Sequence, residues 1–218
     1  MDTLHRLDDR LLLDANSLSR GTGWLHPLVT SYARYGVVLF ALLLLVGLVL
    51  ARGGSARTLA AAGWACGATL LAVAVNQPVG QRFDEARPYV THPHLLVLAS
   101  RTSDFSFPSD HAVMAGSVAA GLLLVSRRLG LVAVVSALLM AFSRVYIAAH
   151  YPWDVVAGLA LGATVAVLGW LVLSAPLTEL TIWLRSRPGV RSVFAELPPS
   201  AVGVRGEHVS DARVGRSR

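Results

Sequence analysis

The 218-residue chain contains no lysine, and all of its 19 basic residues are arginines. This absence excludes mechanisms that need a lysine, such as Schiff-base chemistry and lysine-dependent phosphate-binding loops. The single cysteine, Cys66, excludes an intrachain disulfide and dithiol redox chemistry. Charged residues are also scarce, at 15% of the chain, whereas soluble domains carry about a quarter. A soluble single-domain protein is therefore excluded.

Hydrophobic residues make up 54% of the chain, and the mean hydropathy is +0.57. They are grouped into long blocks separated by short polar connections. Because about 20 helical residues cross the ~30 Å hydrocarbon core, these blocks predict transmembrane helices, the two shortest being extended by adjacent polar residues. We therefore predict an all-α, polytopic membrane helix bundle of about five spans. The blocks cover residues 32–51, 59–75, 112–125, 129–142 and 155–173.

The segment before the first block has leucines at helical spacing and a charged face. Leu4, Leu7 and Leu11 alternate with acidic residues that include Asp8 and Asp9. A secretory signal would instead have a basic start followed by an apolar core. This pattern predicts a short amphipathic helix lying in the membrane interface.

The distribution of arginines predicts the orientation of the bundle. The connections at 52–58 and 126–129 hold four arginines and no acids, and the tail from Arg185 onward holds seven more arginines. Eight arginines on the opposite side are offset by nine acids. The positive-inside rule then predicts an external N-terminus and a cytoplasmic C-terminus. We expect the basic tail to bind anionic lipid headgroups, and nucleic-acid binding is the weaker alternative.

One polar segment on the non-cytoplasmic side ends at the start of the third apolar block. Ser109 is predicted to cap that helix, with Asp110 and His111 in the first turn. The N-terminus of a helix offers free N–H groups and a positive dipole end, which together can bind an anion. The alternative is an ordinary helix cap beside a surface histidine.

A second polar segment ends at the start of the fifth block. Pro152 is predicted at the first helical position, so Asp154 in the first turn can reach back to His150. A carboxylate on one ring nitrogen fixes the tautomer and makes the other nitrogen more basic, as in a nucleophile or general base. The alternative is that Asp154 only caps its own helix and His150 is an interfacial residue.

Two arginines, Arg87 and Arg144, accompany these segments. A guanidinium group matches two oxygens of a phosphate and keeps its charge at any relevant pH, although interfacial arginines also simply extend toward headgroups. Two arginines, a helix N-terminus and two histidines on one face predict a phosphoryl-transfer site. The histidines follow no standard metal-ligand spacing, so neither a metal nor another cofactor is expected.

These residues form three short motifs: Arg87-Pro88, Pro108-Ser109-Asp110-His111 and Ser143-Arg144-x5-His150-x3-Asp154. The motifs resemble the signatures of the type 2 phosphatidic acid phosphatase superfamily, which also includes vanadium haloperoxidases. Aspartate in place of the usual glycine in the second motif is similar to the bacterial undecaprenyl pyrophosphate phosphatases of the bacitracin-resistance type. The resemblance extends from about Leu7 to Leu173.

The resemblance implies a catalytic role for three residues. His150 attacks phosphorus and forms a phosphohistidine, and Asp154 orients its ring. His111 protonates the leaving oxygen and later activates water, which suits an imidazole that titrates near neutrality.

The resemblance also implies how the phosphate is bound. Arg87, Arg144 and Ser109 hold its oxygens, whereas Asp110 has no role that follows from the motif. The superfamily usually has a lysine seven residues before the first-motif arginine, and Gly80 occupies that position here. Arg82 and Arg101 are weaker candidates to replace this lysine.

The implied function is hydrolysis of undecaprenyl diphosphate to the monophosphate at the outer face of a bacterial plasma membrane, which recycles the lipid carrier of cell-wall synthesis. The open alternatives are a phosphatase for phosphatidic acid, phosphatidylglycerol phosphate or a polyprenyl-phosphoryl sugar, and, more remotely, a lipid transporter or an inactive lipid-binding relative. The predicted regions are 1–35, an interfacial helix leading into the bundle, 36–184, the membrane phosphatase domain, and 185–218, a disordered cytoplasmic tail.

Overall fold

The computed structural model describes residues 2–187, and the regular structure in this range is entirely helical. The predicted all-α class is therefore confirmed. The predicted tail lies outside the described residues from position 188 onward. The helices are α1 (Asp2–Gly21), α2 (His26–Ala51), α3 (Ala56–Phe83), α4 (Pro88–Thr91), α5 (Asp110–Val125), α6 (Arg127–Tyr146) and α7 (Pro152–Ser186), with a 3₁₀ turn at Gly23–Leu25.

The five predicted apolar blocks are found in α2, α3, α5, α6 and α7. Four helical segments of the described chain are long and apolar enough to cross a membrane: Gly23–Ala51, Ala56–Thr91, Arg127–Tyr146 and Pro152–Ser186. The fifth, α5, has 16 residues and so extends only about 24 Å. It is the central helix and packs against α3, α6 and α7, which enclose most of its surface. The chain is a multi-pass membrane protein.

Two helices continue well beyond the apolar blocks that predicted them. Helix α3 extends from the apolar part to Phe83, and α7 extends to Ser186. A helix satisfies its backbone hydrogen bonds internally, so it does not have to end where its side chains become polar. Helix α3 stops where Asp84 adopts a left-handed conformation, with φ of 46°.

Small residues bring α5 and α7 into close contact. A Cβ atom added to Gly158 would lie 2.9 Å from the carbonyl oxygen of Ser109, and one added to Gly162 would overlap the carbonyl oxygen of Val113. The Gly158–Gly162 pair therefore packs inside this chain, where small residues allow backbones to approach. The backbone N–H of Ser109 also donates to the carbonyl of Asp154 at 3.2 Å. The starts of α5 and α7 are thus held side by side.

The predicted N-terminal helix is present as α1, and it is docked on the bundle. Leu12 is completely buried against residues of α5, α6 and α7. Asn16 exchanges two hydrogen bonds with the backbone of Leu96, at 2.8 and 3.1 Å. The Asp8 carboxylate accepts a hydrogen bond from the N–H of Trp153 at 2.9 Å. Helix α1 therefore covers the end of the bundle at which α7 begins.

Candidate active site

A cavity of about 590 Å³ opens at the end of the bundle where α5 and α7 begin and α6 ends. The sequence motifs lie far apart in the chain, but the antiparallel helices bring their ends together here. Helix α2 and the long connection between α4 and α5 complete the wall. Its lining includes Arg87, Asp110, His111, Arg144 and His150.

The ring of His150 is fixed in one orientation and is only 2% exposed. Its Nδ1 lies 2.8 Å from the carbonyl oxygen of Ser106, which can only accept, so Nδ1 carries the proton. The other nitrogen, Nε2, is then unprotonated, and its lone pair accepts a hydrogen bond from Nη1 of Arg87 at 3.3 Å. Burial, followed by the charges of Arg144 and Arg87, holds the pKa of His150 well below its usual value. The ring is therefore uncharged at neutral pH.

Asp154 contacts the histidine and also caps its own helix. Its Oδ2 lies 3.5 Å from Nδ1 of His150 and accepts a hydrogen bond from the backbone N–H of Tyr151 at 2.9 Å. The carboxylate therefore caps its own helix and also lies beside the histidine ring, although the carbonyl of Ser106 is the nearer acceptor for the Nδ1 proton. Its shortest hydrogen bond, however, comes from the hydroxyl of Ser106 at 2.5 Å.

Ser106 is a site residue that the sequence motifs did not indicate. It is fully buried, its carbonyl accepts from His150, and its hydroxyl donates to Asp154. Its own N–H donates to the carbonyl of Glu85 at 2.8 Å. One residue therefore links the histidine to its carboxylate. The only signal in the sequence was its place three residues before Ser109.

The connection that carries His150 is tightly constrained. Ala148 has a left-handed backbone with φ of 57°, which costs roughly 1–2 kcal/mol for a residue with a Cβ atom. The carbonyl of Ile147 accepts N–H groups from Leu98 and Ala99, both at 3.2 Å. The carbonyl of Ala149 accepts from Nη1 of Arg87 at 3.0 Å. These hydrogen bonds keep the strained turn in place, and the turn positions the histidine next to Arg87.

Arg87 is buried and paired with Asp104. Asp104 is a second residue of the site that the sequence motifs did not indicate. The Nη2 and Nε of Arg87 lie 3.0 and 3.1 Å from the same carboxylate oxygen of Asp104. Partial burial raises the pKa of Asp104, but hydrogen bonding from Thr102 and the charge of Arg87 outweigh it, so the net pKa is lowered. The ionised carboxylate fixes the guanidinium beside His150.

Arg144 and Ser109 retain unused hydrogen-bonding groups. The Nε of Arg144 and the hydroxyl of Ser109 are buried and have no hydrogen-bond partner among residues 2–187. Arg144 uses one Nη1 bond, at 3.4 Å, on the carbonyl of Ala33. Ser109 does occupy the cap position of α5, yet its side chain bonds no backbone N–H. Buried polar groups normally have partners, so these two groups fit an anionic ligand such as a phosphate.

A sequence-family model described as the PAP2 superfamily matches residues 61–176, which include all three motifs. The chain belongs to the PAP2 superfamily. It is accordingly a membrane phosphatase of a family that acts on lipids.

Named relatives agree with this membership. Undecaprenyl-diphosphatase BcrC of Bacillus subtilis is 30% identical over 154 residues, which are 70% of this chain and 77% of that protein. Bacitracin transport permease protein BcrC of Bacillus licheniformis is 30% identical over 152 residues, or 70% and 73% of the two chains. Decaprenylphosphoryl-5-phosphoribose phosphatase of Mycobacterium tuberculosis is 45% identical over 78 residues, or 35% and 42%. No solved structure matches the chain significantly.

Asp110, the residue that replaces glycine in this PAP2 motif, is bonded to α3. Its Oδ1 accepts hydrogen bonds from the side-chain amides of Asn76 and Gln77, at 2.7 and 3.1 Å. Asn76 is fully buried and also donates to the carbonyl of Pro108 at 3.0 Å. Both sides of Ser109 are therefore attached to the neighbouring helix. The aspartate positions the turn that carries the hydroxyl and His111.

The space beside Gly80, where the PAP2 lysine would begin, is filled by an aromatic ring. A Cβ atom at Gly80 would overlap the ring of Phe105, which also lines the cavity. Neither Arg82 nor Arg101 is among the described residues that line the cavity. The Arg101 guanidinium instead lies 5.7 Å from the ring centre of Tyr89. The arginine that does line the cavity in addition to the motif residues is Arg34.

The remaining histidines of this region are not gathered around one point. His92 lies 3.6 Å from the carboxylate of Asp9, outside the cavity lining. Over residues 2–187 no group of three or more His, Cys, Asp and Glu side chains is arranged as a metal site.

Proposed function

We propose that this PAP2 phosphatase hydrolyses a polyprenyl diphosphate, undecaprenyl diphosphate in particular, to the lipid monophosphate and inorganic phosphate. Two relatives that cover most of the chain carry the name BcrC, and one of them is named an undecaprenyl-diphosphatase. The observation that supports the mechanism is the orientation of His150, whose Nδ1–H donates to the carbonyl of Ser106 while the unprotonated Nε2 accepts a hydrogen bond from Arg87.

In the first step, Nε2 of His150 attacks the terminal phosphorus. An N–P bond forms, the bond from phosphorus to the bridging oxygen breaks, and the lipid monophosphate leaves with a proton from His111. The imidazole gains a positive charge because it keeps its Nδ1 proton. The carbonyl of Ser106 and the carboxylate of Asp154 face that proton and stabilise the charge. Fixed dipoles of this kind need no reorganisation during the reaction.

In the second step, His111 accepts a proton from water, and the resulting hydroxide attacks the phosphohistidine. The N–P bond breaks, inorganic phosphate is released and His150 returns to its neutral form. The guanidinium of Arg87 and the unused groups of Arg144 and Ser109 bind the phosphoryl oxygens in both steps. Losing one such donor typically costs about 2.7–4 kcal/mol of transition-state stabilisation.

We place this site on the extracytoplasmic side of a bacterial plasma membrane. The arginine-rich connections at 52–58 and 126–129 belong to the opposite end of the bundle, which supports a cytoplasmic position for them. On this side the enzyme would return the lipid carrier of cell-wall synthesis to use and so increase tolerance of bacitracin.

The test is phosphate release from undecaprenyl diphosphate and from phosphatidic acid by the purified protein in detergent, with and without EDTA, beside His150→Ala. We expect EDTA-resistant release that is fastest on the isoprenoid and absent in the variant. Release only from phosphatidic acid would keep the mechanism but overturn the substrate. Release that survives in His150→Ala would overturn the phosphohistidine, and no release at all would favour a lipid-binding or transport role.

A second substrate class is a phosphate group on a polyprenyl-phosphoryl sugar. The specific support is the 45% identity, over 78 residues, to a mycobacterial phosphatase named for decaprenylphosphoryl-5-phosphoribose. Adding that lipid to the same assay separates the two, because its reacting group is a monoester on a sugar whereas the diphosphate carries two adjoining phosphates.

A further inference from the structure

The cavity is much larger than one phosphate group requires. Its volume of about 590 Å³ is roughly twenty times the ~30 Å³ that one water molecule occupies in the liquid, whereas a phosphate has only five non-hydrogen atoms. The space extends from His150 to the beginning of α2. There its wall consists of Thr30, Ser31, Arg34 and Tyr35, which we call the α2 wall.

The α2 wall is attached rigidly to the phosphate-binding arginines. The carbonyl of Ala33, the residue before Arg34, accepts the hydrogen bond from Arg144. The same turn of α2 is also bound to α6, because the hydroxyl of Tyr32 donates to the carbonyl of Ser136 at 2.7 Å. The backbone turn that carries Arg34 is therefore attached to Arg144 and to α6.

Arg34 differs from Arg87 in that no carboxylate of the described part of the chain neutralises its charge. Arg87 is paired with Asp104, whereas no carboxylate of residues 2–187 lies within 4 Å of the Arg34 guanidinium. That group instead lies 5.5 Å from the ring centre of Tyr35. A cation of this kind in a polar wall is available to a second anionic group.

The surface of α2 below Arg34 fits the rest of a lipid substrate. Val38, Leu45 and Val49 are exposed, and they follow Arg34 at spacings of four, eleven and fifteen residues, which place them on the same helix face. Apolar side chains exposed on a membrane helix face the lipid tails. A lipid whose headgroup lies at Arg34 can extend its chain along this face.

We infer that the α2 wall, with Arg34 as its cation, is the subsite for the second phosphate of the substrate, the one that stays on the lipid. The inference rests on the proposed function, and it assigns to Arg34 the choice of diphosphates over monophosphates. The terminal phosphate lies at His150 and the retained phosphate lies at α2, with the isoprenoid chain directed into the membrane.

The test compares farnesyl diphosphate with farnesyl phosphate, which have the same chain and differ by one phosphate. Arg34→Gln should lower kcat/KM for the diphosphate by about 10- to 100-fold, mainly through KM, and leave the monophosphate nearly unchanged, since a charge-assisted contact is lost for one substrate only. Arg34→Lys should keep part of the preference. Arg10→Gln is the matched control, because Arg10 is exposed on α1 and outside the cavity lining.

Equal losses on both substrates, or no loss on either, would overturn the subsite. Calorimetric binding of methylenediphosphonate and of inorganic phosphate to the wild type and to Arg34→Gln supplies a readout that does not depend on turnover. If the wild type fails to hydrolyse diphosphates, the proposed function fails. The subsite is then supported by tighter binding of the diphosphonate that depends on Arg34, and it is refuted if the variant binds both anions as the wild type does.

Discussion

Replacing Ser106 by alanine tests the arrangement around the histidine most directly. The substitution removes the 2.5 Å hydrogen bond from the hydroxyl to Asp154 and keeps the backbone carbonyl that accepts from His150. A hydrogen bond to a charged group contributes about 1.5–3 kcal/mol. At 1.4 kcal/mol for each factor of ten, Ser106→Ala should lower kcat by roughly 10- to 100-fold. KM should change little, because Ser106 does not line the cavity.

The assay is steady-state phosphate release from farnesyl diphosphate in detergent, with thermal unfolding of each variant measured in parallel. Ser106→Thr, which keeps a hydroxyl, should recover a substantial part of kcat. Ser136→Ala is the control, because Ser136 is also buried but its hydroxyl only bonds the carbonyl of Val132 in its own helix. If Ser106→Ala retained more than half of the wild-type kcat, or if Ser136→Ala lost as much, the proposed role of the hydroxyl would be refuted.

Two further predictions concern the histidines of the site, and a third concerns the packing of α5 against α7. His111→Ala should slow breakdown of the phosphoenzyme, so that radiolabel from a labelled terminal phosphate accumulates on His150. Equal labelling of the variant and the wild type would contradict the role of His111 in activating water. Because the pKa of His150 is lowered, the ring stays neutral until the pH falls below its usual value near 6.5. The pH profile of kcat/KM should therefore show no step near 6.5 that belongs to His150. An NMR titration in which the His150 ring changes its charge near pH 6.5 would refute this. Gly162→Leu should lower both the unfolding temperature and kcat, since its side chain would overlap the carbonyl of Val113 and separate α5 from α7; Gly63→Leu, at an open position on α3, should do neither.

The sequence was sufficient to predict the helices and the motif residues, because both depend on local patterns. Apolar blocks predict spans, and a serine or proline before such a block predicts where a helix begins, as at Ser109 and Pro152. Such signals do not give the full helix length, so the polar ends of α3 and α7 were missed.

The residues that sequence reasoning missed act through contacts that are distant in the chain. Ser106 reaches Asp154 across 48 residues, and Asp104 pairs with Arg87 across 17 residues. Both lie in a long connection without periodicity, where a serine or an aspartate is ordinary. Arg34 was visible as a charge at the end of a span, but only the folded cavity shows that it shares a wall with the motif residues.

The ring of Phe105 beside Gly80 limits which amino-acid substitutions this part of the site can accept one at a time. A lysine at residue 80 has no room while the ring is in place, and loss of the ring alone leaves an apolar gap without an ammonium group. The change from glycine and phenylalanine to a lysine at residue 80 with a smaller residue at 105 therefore needs two substitutions. A protein that carries only one of them has the benefit of neither arrangement. Mutational libraries of this enzyme should therefore sample residues 80 and 105 as a pair, since single-site scans will score lysine at residue 80 as harmful for reasons of space rather than of chemistry.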